Sequence, residues 1–393
     1  MRFFVEQSNP DTGLTRDRAT NFEVKDQRRI ASIAATGFAL PAYAIGAKRG
    51  WISRSVALKR THVTLDTLLN GTPRHKGWYY HFLDWQTGKR EWKSELSSID
   101  TAILVGGLVM IRQAWSDPAI SKKIDRIIGG IDWQWMLTDG GAKPDSLLFC
   151  HGWNPENGFL EHRWHDYSEQ MILYILGLGA DRRIPAKAWE AWKRNAIKYQ
   201  GIDLLMGGPL FMHQLSQGFL DFKDKRDRLG YNYWIASRQA TLANRAFCIA
   251  NPKKFEDYGP DLWGLSAGDG PDGYSAFGGP GWGDDNGTLI PTSAIASIMF
   301  TPDLSRRAAD NFALDYEEAY GRYGFANGIN PQRNWHSPDV VAIDLGMVLL
   351  AIENARDGLP HRWSMSHPIV KKGFERAGFR RSTGGALRRT GGG

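Results

Sequence analysis

Apolar residues recur at three- and four-residue spacing over long stretches of this chain, a period that predicts helices. The clearest stretches cover 26–46, 53–69, 97–115, 118–137, 166–178 and 185–199, then 235–250, 291–300, 302–320 and 338–355. Pro118, Pro185, Pro291, Pro302 and Pro338 each stand at or next to an expected helix start, where a missing N–H costs nothing. Strand patterns are short and scattered, as at Trp78 to Phe82. No period of 20–50 residues repeats and no Pro/Ser-rich linker divides the chain, so the pattern predicts one all-α domain. A toroid of six inner and six outer helices uses paired helices of this length and number. One stretch departs from the pattern: residues 257–287 hold ten Gly and six Asp, with Trp263, Tyr274 and Trp282 among them. Loops this long are functional or disordered as a rule, and the interleaved aromatics predict an ordered loop at a binding site.

Charge and composition narrow the function. The formal net charge of +7 suggests nucleic acid until it is divided along the chain. Residues 1–60 carry a net +6, residues 370–393 another +6, and the body between them −5. A uniform basic face is therefore not expected, and nucleic acid is not an expected partner. The end from 370 onward is basic, Gly-rich and poor in apolar residues, so a disordered tail is expected there after a domain spanning 1–369. Residues 30–47 are mostly apolar, but Gly37, Pro41, Tyr43 and Gly46 make a weak membrane span and a buried helix is expected instead. No apolar leader opens the chain, which makes the cytoplasm the expected compartment, or the periplasm or exterior if a leader was removed. Two cysteines, Cys150 and Cys248, are too few for a metal quartet and have no CxxC spacing. The 16 Trp are the unusual number, roughly three times the ~1.3% of an average composition. Indole faces stack on sugar rings, and they also fill large cores; both readings fit the count.

Three acidic sites fall at expected helix starts. Ser97 is a candidate N-cap with Asp100 three residues on; Asp166 and Glu169 keep the same spacing; Ser337 would cap and Pro338 open a helix with Asp344 about a turn further. Such acids can simply complement the helix dipole. Alternatively, helix starts converge on one rim and present carboxylates to a shared cleft. Glycoside hydrolysis needs that pair: one carboxyl protonates the leaving oxygen and the other attacks or activates water. Trp92 and Trp164 beside these acids would stack on sugars and raise a neighbouring carboxyl pKa by desolvation. Other chemistries lack their signatures. There is no HExxH, no P-loop and no GxGxxG after an expected strand, no GxSxG elbow marks a serine hydrolase, and the spacing of His151, His162, His165 and His213 matches no standard metal set, so neither metal nor cofactor is expected.

Several stretches carry a resemblance. These are Gly77 to Asp84, Ser94 to Ala102, His151 to Glu156, Tyr167-Ser168-Glu169, Phe211 to Gln214, Cys248 to Pro252, Tyr258 to Leu265, Asp269 to Tyr274, Arg322 to Phe325 and Ile352-Glu353-Asn354. Together they resemble the glycoamylase-like domain of endo-β-1,2-glucanases and of the transglycosylating part of cyclic β-1,2-glucan synthases, in order from about Asn21 to Met365. The resemblance implies an (α/α)6 barrel with the Gly/Asp-rich loop over its cleft, acting on β-1,2-linked glucose. It implies that Asp100, Glu169 and Asp344 line that cleft, and Glu95 matches a Ser-Glu-Leu element of the synthase-associated members. Departures from the family are Gly179 to Arg183 in place of Ser-Pro-Thr-His-Pro, Gln217 in place of a second His, and Asp344-Leu345-Gly346-Met347 in place of Asp-Gln-Gly-Pro.

The expected function is thus a glycoside hydrolase on β-glucan, with retaining transglycosylation or glucan binding by a dead site as the alternatives. Glu169 is the expected general acid, with Asp344, Asp100 or Glu95 as its partner. Asp84, Arg163, His151, His213, Asp261 and Asp272 are expected to bind sugar hydroxyls. Trp153, Trp164, Trp263, Tyr274 and Trp282 are expected to meet sugar rings. Oligomeric state is not readable from the sequence.

Overall fold

A computed structural model describes residues 1–23, 26–251, 255, 257–382 and 384–388. Among them the chain is mostly helical, and its strands form short ribbons of two or three members. Helices Ile33–Lys48, Ser98–Ala114, Met171–Ala180, Phe211–Phe219, Pro291–Ala296 and Ala342–Arg356 are buried over most of their circumference, as their apolar runs require. The helix Ile33–Lys48 packs on Ser98–Ala114 and on Ala342–Arg356, and Ser98–Ala114 packs in turn on Met171–Ala180. Other helices bury one stripe only; Pro118–Gly129 turns Ile120, Ile124, Ile127 and Ile128 inward. The apolar segment 30–47 is accordingly a core helix, and among the described residues no helix is long and apolar enough to cross a membrane.

Close approach of the first two buried helices depends on glycine. A methyl group on Gly107 would stand 2.0 Å from the Gly37 carbonyl oxygen, and one on Gly37 would stand 2.7 Å from Leu104 Cα. Both obstacles are backbone, so the helices would have to move apart. Gly107→Ala is expected to destabilise the fold by about 2–3 kcal/mol, read as a lower urea midpoint with an unchanged m-value.

The ribbons pin helix starts. Strand Ile30–Ser32 pairs with Phe82–Asp84, and Ser32 then caps the next helix by accepting from Ala35 N at 3.2 Å. Strand Leu96–Ser97 pairs with Gly152–Asn154, and Ser97 accepts from Asp100 N at 3.2 Å, the expected cap. Strand Arg18–Thr20 pairs with Asp339–Val341, and the Asp17 carbonyl accepts from Ala342 N at 2.8 Å. Three buried helices thus begin side by side.

Four expectations about elements are corrected. Pro185–Tyr199 is not one helix: after a short turn at Ala188–Ala191, Ala196–Tyr199 forms a hairpin with Ile202–Leu205. Its turn residues Gln200 and Gly201 both take positive φ, which a two-residue hairpin turn demands and a helix forbids. Pro338 opens no helix. Its carbonyl accepts from Asn21 N, and Ser337 Oγ accepts from Asp339 N in a turn, so the helix begins at Ala342 and Asp344 still falls in its first turn. Asp166 and Glu169 lie before the helix Met171–Ala180 rather than in its first turn. The tail is ordered through most of its length. Helix Pro368–Arg376 buries Val370 and Phe374, Arg380–Arg381 pairs with Lys225–Arg226, and the Arg226 guanidinium donates to the carbonyls of Gly384, Ala386 and Leu387. Residues 389–393 and Pro252 lie outside the described residues.

Candidate active site

The pinned helix starts gather the acidic side chains on one rim. Asp100 stands in the first turn of Ser98–Ala114 and Asp344 in that of Ala342–Arg356, both close to the positive ends of their helix dipoles. Ser98 ties the neighbouring segments together: its N–H and Oγ donate to the His151 carbonyl at 3.0 and 2.9 Å, and its Oγ accepts from Trp164 Nε1 at 3.0 Å. His151 in turn stacks on Trp164 with ring centroids 4.0 Å apart.

Glu169 opens onto a cavity of about 410 Å³ lined by His151, Trp164, Phe211, Met212 and Trp282, among others. That volume is within the ~300–1,000 Å³ of small-ligand sites. Ser168 Oγ donates to the Glu169 carboxylate, while Ser216 Oγ donates to its main-chain carbonyl and fixes the backbone. Burial pushes the Glu169 carboxyl up, the Ser168 bond works against it, and the Asp100 charge adds to the rise.

A second group of acids adjoins the first. Asp344 is buried and accepts from Asn327 Nδ2; burial, with the charges of Asp269 and Asp17, pushes its carboxyl up to about 7. Burial also raises Asp17, against a hydrogen bond from Ser32, and its neighbours Arg18, His81 and Asp100 place it between the two groups. The Arg18 guanidinium reaches Asp269 at 3.1 Å and Asp339 at 3.6 Å. Tyr274 is 55% exposed. Burial pushes its phenol pKa up, and the charges of Asp344, Asp17 and Asp269 add to the rise. Glu95 differs from all of these. Burial would raise it, but its hydrogen bond with His81 and that ring's charge hold it below the usual range.

The family model described as "Putative glucoamylase" (glycoamylase) matches residues 161–368, just over half of the chain. The chain belongs to this glycoamylase family. A "putative glucoamylase" of Bacteroides caccae is 31% identical, with a TM-score of 0.89 over 97% of this chain and 96% of that one. The endo-β-1,2-glucanase of Chitinophaga pinensis, solved with sophorotriose and glucose, is 28% identical with a TM-score of 0.86 over 96% of this chain and 95% of that one. An exo β-1,2-glucooligosaccharide sophorohydrolase (non-reducing end) of Parabacteroides distasonis is 29% identical over 95% of this chain and 56% of its own length. The chain thus spans little more than half the length of that relative.

Within this glycoamylase-family chain, the residues expected to bind sugar divide into two sets. His151, Arg163, Trp164 and Trp282 line the Glu169 cavity, and Tyr274 lies near enough to Asp344 to feel its charge. The others, and Arg163 within the cavity wall, already have protein partners. Asp84 is spent on a turn, accepting from Gln86 N and Thr87 N and pairing with Arg29. The Arg163 guanidinium is clamped by Asp139, Ser146 Oγ and the carbonyls of Leu137 and Leu148. His213 is buried between Tyr167 OH at 3.2 Å and the Gly207 carbonyl at 3.3 Å, and burial lowers its pKa to about 4. Trp263 has no exposed surface and is a core residue. Trp153 packs between His75 and Trp135, while Asp261 and Asp272 pair with Arg307 and Arg333. Asp17 and Asn327 lie in none of the stretches singled out in the sequence, and His81 lies in one without being marked for a role. Only their meeting with Asp100 and Asp344 in space reveals them.

Proposed function

We propose that this chain is a glycoside hydrolase acting on β-1,2-linked glucose chains. We further propose that its buried helices close into an (α/α)6 barrel in one domain, with the Gly/Asp-rich loop contributing Trp282 and Tyr274 over the cleft. The observation that carries the reading is the Glu169 carboxyl on a cavity walled by His151, Trp164 and Trp282, with burial pushing that carboxyl up while the hydrogen bond to His81 holds Glu95 down. A raised pKa suits Glu169 to donate a proton, and a lowered one suits Glu95 to act as its ionised partner. The Glu169 proton passes to the glycosidic oxygen as the bond to the anomeric carbon breaks. Either the Glu95 carboxylate bonds to that carbon, or water does so and gives up its proton to a carboxylate. Both routes suit the β-1,2-glucan activities of the relatives.

Incubation with linear β-1,2-glucan and sophorose-series oligosaccharides, resolved by chromatography, tests this reading. Shortened chains are expected, and glucan left intact overturns it. A second reading, retaining transfer to another sugar, is favoured by the lowered pKa of Glu95. Longer products and a first-formed β anomer in NMR would mark it. Trp282 is 45% exposed on the cavity wall. Trp282→Ala is expected to raise KM about tenfold with kcat little changed, as befits loss of ~1–1.5 kcal/mol of ring stacking.

A further inference from the structure

His81 has no part in the reaction as drawn above, yet its ring lies between two of the site's acids. Nδ1 is 3.0 Å from Glu95 Oε1, and Nε2 is 3.6 Å from Asp100 Oδ2. The main chain holds it on both sides: His81 N–H donates to the Glu95 carbonyl at 2.9 Å, and its own carbonyl accepts from Ile33 N at 3.0 Å. The ring also stacks on Phe82 at 3.8 Å, with planes 14° apart. Neutral imidazole has one donor and one acceptor nitrogen, so either tautomer would turn a lone pair toward a carboxylate. Only the doubly protonated ring turns an N–H to both, in a hydrogen bond to Glu95 and, at 3.6 Å, an ion pair with Asp100. Around it stand the acids Glu95, Asp100 and Asp17; Arg18 lies beyond Asp17, and Arg90 and His151 lie beyond Glu95.

We propose that His81 is a positioning residue, held as an imidazolium that bridges Glu95 and Asp100 and so fixes Glu95 as the ionised partner of Glu169. This rests on the proposed role of Glu169 as acid. Burial would lower the ring's pKa, but Asp100, Glu95 and Asp17 raise it to about 9, so the bridge persists across the neutral range. The bridge also orients Glu95, because one carboxylate oxygen, Oε1, is anchored on Nδ1.

Two measurements test the proposal, and the first needs no substrate. Histidine side-chain 1H–15N spectra are titrated for the wild-type chain, Glu95→Gln and Asp100→Asn, with the His81 signals assigned by their loss in His81→Gln. His81 is expected to stay doubly protonated through pH 8 in the wild type, with its midpoint falling by at least one pH unit in each variant. A wild-type midpoint near the ordinary value, or one that Glu95→Gln leaves in place, overturns the proposal. The second measurement is the pH profile of kcat/KM on linear β-1,2-glucan. In His81→Gln the acid limb is expected to move up by at least one unit, with kcat falling more than KM changes, whereas His81→Lys keeps the limb near its wild-type position. A uniform fall of kcat with the limb unmoved would mark a merely structural residue and overturns the proposal. Intact glucan, or full activity in Glu169→Gln, overturns the functional reading instead and leaves the titration to decide the charge bridge.

Discussion

Glu169→Gln is expected to lower kcat on linear β-1,2-glucan by about 10²–10⁴-fold while KM stays within a few-fold. The substitution keeps shape and removes the proton. Ser168 Oγ can still donate to the amide oxygen, and Ser216 bonds the main chain rather than the side chain, so the segment ahead of Met171–Ala180 has no reason to move. What is lost is the carboxyl on the cavity wall whose pKa burial pushes up. Acid assistance matters most when the leaving oxygen is a sugar alkoxide. An aryl β-sophoroside, whose leaving phenol needs little help, should therefore recover much of the lost rate. Retention of more than a tenth of wild-type kcat on glucan would remove Glu169 from the role of acid. An equal loss on both substrates would point to misplacement of the sugar instead.

The parts of this site that were legible in the sequence are those whose physics is local. Ser97 caps its helix and Asp100 follows three residues on because a cap and its first turn are neighbours in the chain. Asp344 keeps its first-turn place although the expected cap at Ser337 belongs to a turn. Glu169 is recognisable from its aromatic neighbours, yet its helix begins later, at Met171. Direction is what residue type cannot supply. Trp263 and Trp282 come from the same Gly/Asp-rich stretch, and one is wholly buried while the other walls the cavity. Arg163 and Asp84 have the right chemistry for sugar hydroxyls, but backbone groups nearby claim it first. Asp17 was beyond reach for another reason: its partners lie near residues 32, 81, 100, 269 and 344, and only the paired ribbons bring them together.

Asp344→Asn should stabilise the fold as it impairs activity, and by an amount that depends on pH. Asp344 is buried in the first turn of its helix, and its carboxyl is raised from an ordinary 3.8 to about 7 by burial and by Asp269 and Asp17. A raised acid binds its proton more tightly in the folded state, so stability is greatest at low pH and falls as pH climbs from the unfolded to the folded value. Asparagine imitates the protonated acid and can accept from Asn327 Nδ2 as Asp344 does. Below pH 4 the two chains should unfold alike. Through pH 4 to 7 the wild type alone loses stability, and at pH 8 the variant is expected to be firmer by about 2–4 kcal/mol. Urea unfolding at pH 4, 6 and 8 measures this directly. A gap that does not grow with pH would mean that Asp344 ionises freely in the fold. A growing gap together with lost glucan cleavage would identify a carboxylate kept in a costly place for its chemistry, since no packing need calls for a charge there.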